Sequence, residues 1–296
     1  MQGTWLIRVH SYNLPLRQDS SAQDRQDATA GLYGKALLQL SRLSYNARCT
    51  WTHARPRHRT EMRNLAVSST YIPPMKPSRI CSIHAGKTAP LGPDGVPSAF
   101  VKHSLHQPAQ ITPLGIRGDE QADLSVHGGP EKAVYGYSLE NYSAWRVEYP
   151  QHAAVLVPGG FGENLCIEGM REPDLYVGDI HRIGSARLQV CQPRQPCFKL
   201  ALRFQDKMMP KAMVRSGRSG WYYRVLEAGE IAPGDRVHLD ERPNSDFPFV
   251  RLVELVSHDN ATRLELARMQ RMEGLAADWK MWAHDRLSKR LDSEVD

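Results

Sequence analysis

The sequence predicts a mostly β domain with inserted helices, followed by a small three-helix C-terminal domain. Between residues 76 and 240 the chain is cut into many short apolar runs by glycine and proline turns, which is the texture of short strands. After Pro243 the composition changes and apolar residues recur near helical spacing. Ahead of Met75 neither period is sustained, and residues 1–74 are Arg- and Ser-rich. The expected organisation is a disordered or non-native extension over 1–74, a sheet-rich domain over 75–242 and a helical domain over 243–296.

RICSIHAG (79–86) opens the domain as an apolar strand. SLENYSAWRVEY (138–149) reads as an inserted helix, with Ser138 as N-cap and Leu139, Tyr142 and Trp145 on one face. LYVGDIHRIG (175–184), ARLQVCQ (186–192) and DRVHLDE (235–241) read as strands. In the second of these Ala186, Leu188 and Val190 alternate with Arg187, Gln189 and Cys191, as in a half-buried strand. Gly178-Asp179 and Gly234-Asp235 sit where β-turns are needed. In the tail, PFVRLVELV, NATRLELARMQRM and LAADWKMWAHDRLSKRL read as three helices, with Asn260 as an N-cap and the Trp279/Trp282 pair on a packed side.

Composition narrows the function. The 296 residues are 41% hydrophobic and 24% charged, as in ordinary soluble domains, and no apolar run approaches the roughly eighteen residues of a membrane span. The net charge of +6 lies in residues 1–74, where ten basic residues face four acids; residues 75–296 balance at twenty-eight of each. A nucleic-acid groove on the main body is therefore not expected. Five cysteines with no CxxC pair suggest neither a zinc knuckle nor a disulfide framework, and the lack of a secretory pattern makes a cytoplasmic setting the expectation.

The chemistry concentrates in QPRQPCFKLALRF (192–204). Pro193 and Pro196 end a strand and Pro196 introduces a helix, so Cys197 falls at or near a helix N-terminus, flanked by Arg194 and Lys199. Those surroundings favour a thiolate, which suits a metal ligand or a nucleophile; the competing reading is a small packed cysteine. Cys191, without such flanks, reads as packing. Three glycine-bearing loops accompany the thiol. GIRGDEQADLSVHGGPEKAVYGY (115–137) gathers Asp119, Gln121, Asp123, His127 and Lys132 around a tight turn; PGGFGENL (158–165) offers Gly160, Gly162 and Asn164; SGRSGWYYRVL (216–226) offers Arg218. Each also reads as an ordinary solvated turn or, for the last, a helix end before a buried aromatic strand. GxxxxGK[ST], HExxH, GxSxG and the dinucleotide fingerprint are all absent, which disfavours P-loop and Rossmann chemistry. One activated thiol beside several glycine loops suits a large anionic cofactor whose metal takes one protein sulfur.

GDEQADLSVHGGPEKAVYGY, FGENL, QPRQPCFKL and SGRSGWYYRVL, in this order, resemble the MOSC family, the molybdenum cofactor sulfurase C-terminal domain, and its YiiM-like branch most closely. The resemblance spans about 80 to 296, helical tail included, and residues 1–74 have no counterpart in it. It implies a barrel-like β domain that binds a molybdopterin-type molybdenum cofactor, with Cys197 as the metal-binding thiolate. It further implies reduction of N-hydroxylated substrates, such as hydroxylaminopurine-type bases, hydroxylamines and amidoximes, by oxygen transfer to cysteine-ligated molybdenum. The chain has no motif for its own flavin or cluster, so a separate flavin or iron–sulfur electron donor is implied. On this reading His127 and Asp123 donate protons, Lys132, Arg194, Lys199 and Arg218 hold the pterin phosphate or polarise the ring, and Asn164 with the amides of Gly160 and Gly162 hydrogen-bonds the cofactor. Pyridoxal phosphate, attached to family members fused to a sulfurase domain, is not expected here. A cofactor carrier or sulfur-relay protein is the alternative, and nucleic-acid binding through the basic N-terminal arm is a third reading, resting on charge alone.

Overall fold

The computed structural model describes residues 76–124 and 127–292. Contacts divide the chain into Met1–Ala66 and Val67–Asp296, and the described residues all lie in the second unit. The expected extension over 1–74 lies outside the described residues.

The strands are β1 (Arg79–Ala85), β2 (Ala89–Leu91), β3 (Val96–Ser98), β4 (His103–Leu105), β5 (Ala109–Thr112), β6 (Gly115–Ile116), β7 (Val134–Ser138), β8 (Leu165–Glu168), β9 (Ile180–Ile183), β10 (Ala186–Pro193), β11 (Trp221–Glu227), β12 (Gly229–Ile231) and β13 (Val237–Glu241). The helices are α1 (Leu139–Glu148), α2 (Phe198–Phe204), α3 (Met209–Ser216), α4 (Phe249–His258), α5 (Arg263–Met269) and α6 (Ala277–Asp292). Eight strands form one sheet in the order β13-β9-β10-β11-β7-β8-β1-β4, antiparallel except where β7 runs parallel to β8. That parallel pair needs a crossover, and α1 with the loop 149–164 provides it. The sheet curls, with Arg79 at the start of β1 bridging Arg236 just ahead of β13, but β13 and β4 remain edges. The sheet-rich class is as expected; among the described residues no strand pairing closes the sheet into a barrel, the link there being the Arg79–Arg236 bridge and the backbone bonds of Ser78 and Ile80 to residues 234–237.

Both faces of the sheet are covered. Leu165 and Ile167 of β8 enter one apolar cluster while Cys166 between them enters another, and on β7 Val134 separates in the same way from Tyr135 and Tyr137. The first cluster joins the sheet to the tail through Leu252, Leu266, Met269 and Ala283. The second is aromatic, gathering Tyr137, Tyr142, Trp145, Phe161 and Phe204 against Leu200 of α2 and Met213 of α3. This double cover overturns the expected alternation of β10, where Gln189 and Cys191 are as buried as Leu188 and Val190.

Ser138 stands at the N-cap of α1 as expected, though its hydroxyl donates to Glu140 rather than capping a backbone amide; Tyr142 and Trp145 form the buried face. Gly178 and Gly234 adopt positive φ in their turns, and Asp179 and Asp235 accept the amides of Tyr176 and Ala232. Asn260 is not the cap of α5. Thr262 takes that place, its hydroxyl accepting the Glu265 amide while the Glu265 carboxylate receives the Thr262 amide. Trp279 and Trp282 pack edge-to-face at 5.7 Å against the first cluster.

Candidate functional site

β10 ends at Pro193, and the short segment Arg194–Pro196 delivers Cys197 to the N-cap of α2. At that N-cap the Lys199 amide, one of the first-turn donors of the helix, hydrogen-bonds the sulfur. Two side chains do more. Burial alone would raise the Cys197 thiol, but a hydrogen bond with His127 and the positive charge of Arg194 bring it down to about 7, helped by the backbone amide of Lys199. Cys197 is half-buried, so it remains reachable. His127, far from Cys197 and Arg194 in sequence, is brought to them, and all three are residues expected at the site.

Arg194 is 7% exposed, and its guanidinium carbon stands 5.0 Å from the ring centroids of both Phe100 and Tyr135. Among the described residues its Nη1 is buried with no hydrogen-bond partner, so the guanidinium retains an unmatched donor beside the thiol. The turn with His127 is built by glycine. Gly128 and Gly129 hold φ of 111° and 82°, which side chains rarely adopt, and the His127 amide donates to the Asp123 carbonyl at 2.8 Å. Asp123 itself is exposed at the same turn, and Lys132 ends the short 3-10 helix that follows.

A buried ion pair lies close enough to Arg194 to feel its charge. Lys102 Nζ donates to Asp119 Oδ2 at 2.6 Å, with the two side chains 8% and 2% exposed. Asp119 also accepts the Gly86 amide at 2.7 Å and the Asn164 side-chain amide at 2.8 Å. Burial lowers the Lys102 ammonium from its ordinary value, while Asp119 opposes that shift. Nothing in the sequence signalled Lys102, a lone lysine ahead of a three-residue strand. Glu163 is a second buried carboxyl, accepting from Tyr142 at 2.5 Å and from the Gly159 amide at 2.6 Å, and burial raises its pKa.

The remaining expected ligands have other duties. Asn164 accepts the Tyr135 amide and donates to Asp119 and to the His84 carbonyl, so it ties β7 and β1 to the loop that carries Asp119. The amide of Gly160 donates to Val157 and that of Gly162 to Gly159, so neither stands open to a ligand. A Cβ at Gly160 would lie 2.1 Å from the Val155 carbonyl oxygen, which accounts for glycine there. Arg218 Nη2 donates to both carboxylate oxygens of Glu148 of α1, at 2.5 and 2.6 Å, and the guanidinium carbon lies 4.2 Å from the Trp145 ring centroid. Lys199 is buried in the first turn of α2. Cys191 is packing, its thiol donating to the Glu131 carbonyl and pushed up to about 12 by burial. Among the described residues no group of three His, Cys, Asp or Glu side chains is arranged to hold a metal, so a metal at Cys197 must arrive with most of its own ligands. No described helix is long and apolar enough to cross a membrane.

Comparison with known proteins places this geometry. The MOSC domain family model matches residues 123–238, which include His127, Arg194 and Cys197. The Escherichia coli (strain K12) protein named YiiM is 35% identical over 204 residues, 69% of this chain and 89% of its own length. A Gibberella moniliformis protein named "Reductase" is 36% identical over 193 residues, covering 64% of this chain but 34% of that longer protein. The crystal structure of YiiM from Geobacillus stearothermophilus superposes with a TM-score of 0.61 at 31% identity, over 71% of this chain and all of the other.

Proposed function

The chain belongs to the MOSC domain family, in the branch that includes YiiM, and from that premise we propose that it is a molybdenum-cofactor-dependent oxidoreductase that reduces N-hydroxylated compounds. The observation that carries the proposal is the half-buried Cys197 thiol, lowered to about 7 beside His127 and beside an Arg194 guanidinium whose Nη1 has no partner among the described residues. Those residues fit such a cofactor. A thiolate suits a soft metal position, and a buried cation with an unmatched donor suits an anionic pterin phosphate. Of the basic residues expected to hold it, Arg194 is the one whose placement supports the role directly, since Arg218 is already matched by Glu148.

When bound, the cofactor supplies the two electrons that convert N–OH to N–H with loss of water, and two protons are consumed. The chain's own part is to hold, orient and protonate. The Cys197 thiol, lowered to about 7, is partly ionised near neutral pH, which eases the deprotonation a ligand needs. His127, whose side chain reaches the sulfur, is the proposed proton donor, and Asp123 at the exposed end of the same turn is the second. Electrons come from a separate flavin or iron–sulfur partner, and the fungal relative's name supports the reductase assignment.

The test is turnover. Protein loaded with molybdenum cofactor, given a chemical electron donor, is expected to reduce hydroxylaminopurine or an amidoxime, and His127→Ala is expected to lower kcat by roughly 10²-fold while metal stays bound. A loaded protein that reduces no N-hydroxylated compound would refute the reading and turn the assignment to a cofactor carrier or sulfur relay.

A further inference from the structure

We infer that Glu131 is a positioning residue, through which the three-helix tail holds the turn with His127 against Cys197. Glu131 follows the Gly128-Gly129-Pro130 turn and is tied on every polar atom beyond its amide. One carboxylate oxygen, Oε1, pairs with Arg224 of β11; Arg224 in turn donates to Gln189 of β10 at 2.7 Å. The other, Oε2, accepts the backbone amide of Ala277 at 2.9 Å, so a carboxylate from the β domain caps the first turn of the sixteen-residue α6. That amide is one of the donors a helix cannot satisfy itself, and a negative charge there also favours the helix dipole. The Glu131 carbonyl accepts both the Gln192 side-chain amide at 2.9 Å and the Cys191 thiol at 3.1 Å.

The tail grips the same strand independently. Trp279 Nε1 of α6 donates to Gln192 at 3.2 Å, and the Ala276 amide donates to the Cys191 carbonyl at 3.1 Å. Cys191 and Gln192 lie just ahead of the segment that delivers Arg194 and Cys197. The first turn of α6 therefore contacts both halves of the site, the turn with His127 through Glu131 and the approach to Cys197 through Cys191 and Gln192. Glycines at 128 and 129 make the turn permissive, so its placement has to be imposed from outside, and Glu131 is where α6 imposes it. The tail is on this account part of the site's framework.

The kinetic part of the test rests on the proposed reductase function, and the exchange part does not. Amide hydrogen exchange is compared in wild type, Glu131→Ala and Glu131→Gln full-length protein. Glu131→Ala is expected to speed exchange of residues 127–132 at least tenfold while Leu188 and Val190 in β10 stay protected, and to lower kcat per bound molybdenum about tenfold with KM within twofold. Glu131→Gln keeps an oxygen for the Ala277 amide and is expected to stay within about threefold of wild type in both. Unchanged exchange at 127–132 in Glu131→Ala would overturn the inference, as would faster exchange with an unaltered kcat. If wild type turns over no N-hydroxylated compound, the reductase reading falls and the exchange comparison alone decides whether Glu131 positions the turn.

Discussion

Replacing Asp119 by alanine is expected to be among the most damaging single changes in the described part of the chain. The carboxylate is 2% exposed and accepts from Lys102, from the Gly86 amide and from Asn164. Its removal strands an ammonium that is itself only 8% exposed, together with two buried N–H donors. Breaking a buried pair by removing one partner costs about 3–5 kcal/mol, mainly because the remaining charge has nowhere to go. For a unit of this size that is a fall of roughly 10 °C in melting temperature. Urea denaturation of Asp119→Ala, Lys102→Met and the double variant measures it. The double variant is expected to recover at least about 1 kcal/mol relative to Asp119→Ala, since it removes the stranded charge, although the Gly86 and Asn164 donors stay unmatched. A loss below about 1 kcal/mol in Asp119→Ala, or a double variant no better than that single one, would refute the reasoning.

Alkylation of Cys197 is expected to rise with pH to a half-maximum near pH 7, because the folded protein favours the thiolate and that form is lost as pH falls below 7. In His127→Ala the midpoint is expected to move up toward the ordinary thiol value of about 8.5; a midpoint unchanged by His127→Ala would show that the histidine does not act on the sulfur. Gly160→Ala is expected to lose more than about 2 kcal/mol of stability from its clash with the Val155 carbonyl, read as a shift in urea midpoint, and a neutral variant would mean that the loop relaxes freely.

The parts of the fold legible in the sequence were those set by local chemistry. Short strands between glycine and proline turns, the α1 face of Tyr142 and Trp145, and the start of α2 at Cys197 followed from propensity and punctuation. The alternation of β10 misled because a strand with both faces covered buries its polar residues too, and Gln189 is placed there by Arg224. The α5 cap falls on Thr262, two residues after Asn260, because Thr262 and Glu265 have the three-residue spacing of a capping box. At the site, Cys197, Arg194 and His127 were readable as residue types in glycine-rich surroundings. Lys102 was not, since its importance comes from a partner in another segment, and neither was Glu131, whose contact with Ala277 spans 146 positions. Glycine density at 159–162 pointed to ligand-binding amides where the structure shows close backbone packing and amides already bonded within the loop.

The central claim is that Cys197 anchors a molybdenum cofactor, and metal content tests it most directly. Full-length protein and Cys197→Ala, purified from a host able to make the cofactor, are compared by elemental analysis with their melting temperatures recorded alongside. About one molybdenum per chain in wild type, nearly none in Cys197→Ala, and closely similar melting is the predicted result, because the half-buried thiol lies at the site and outside both apolar clusters. Full molybdenum loading in Cys197→Ala would contradict the account.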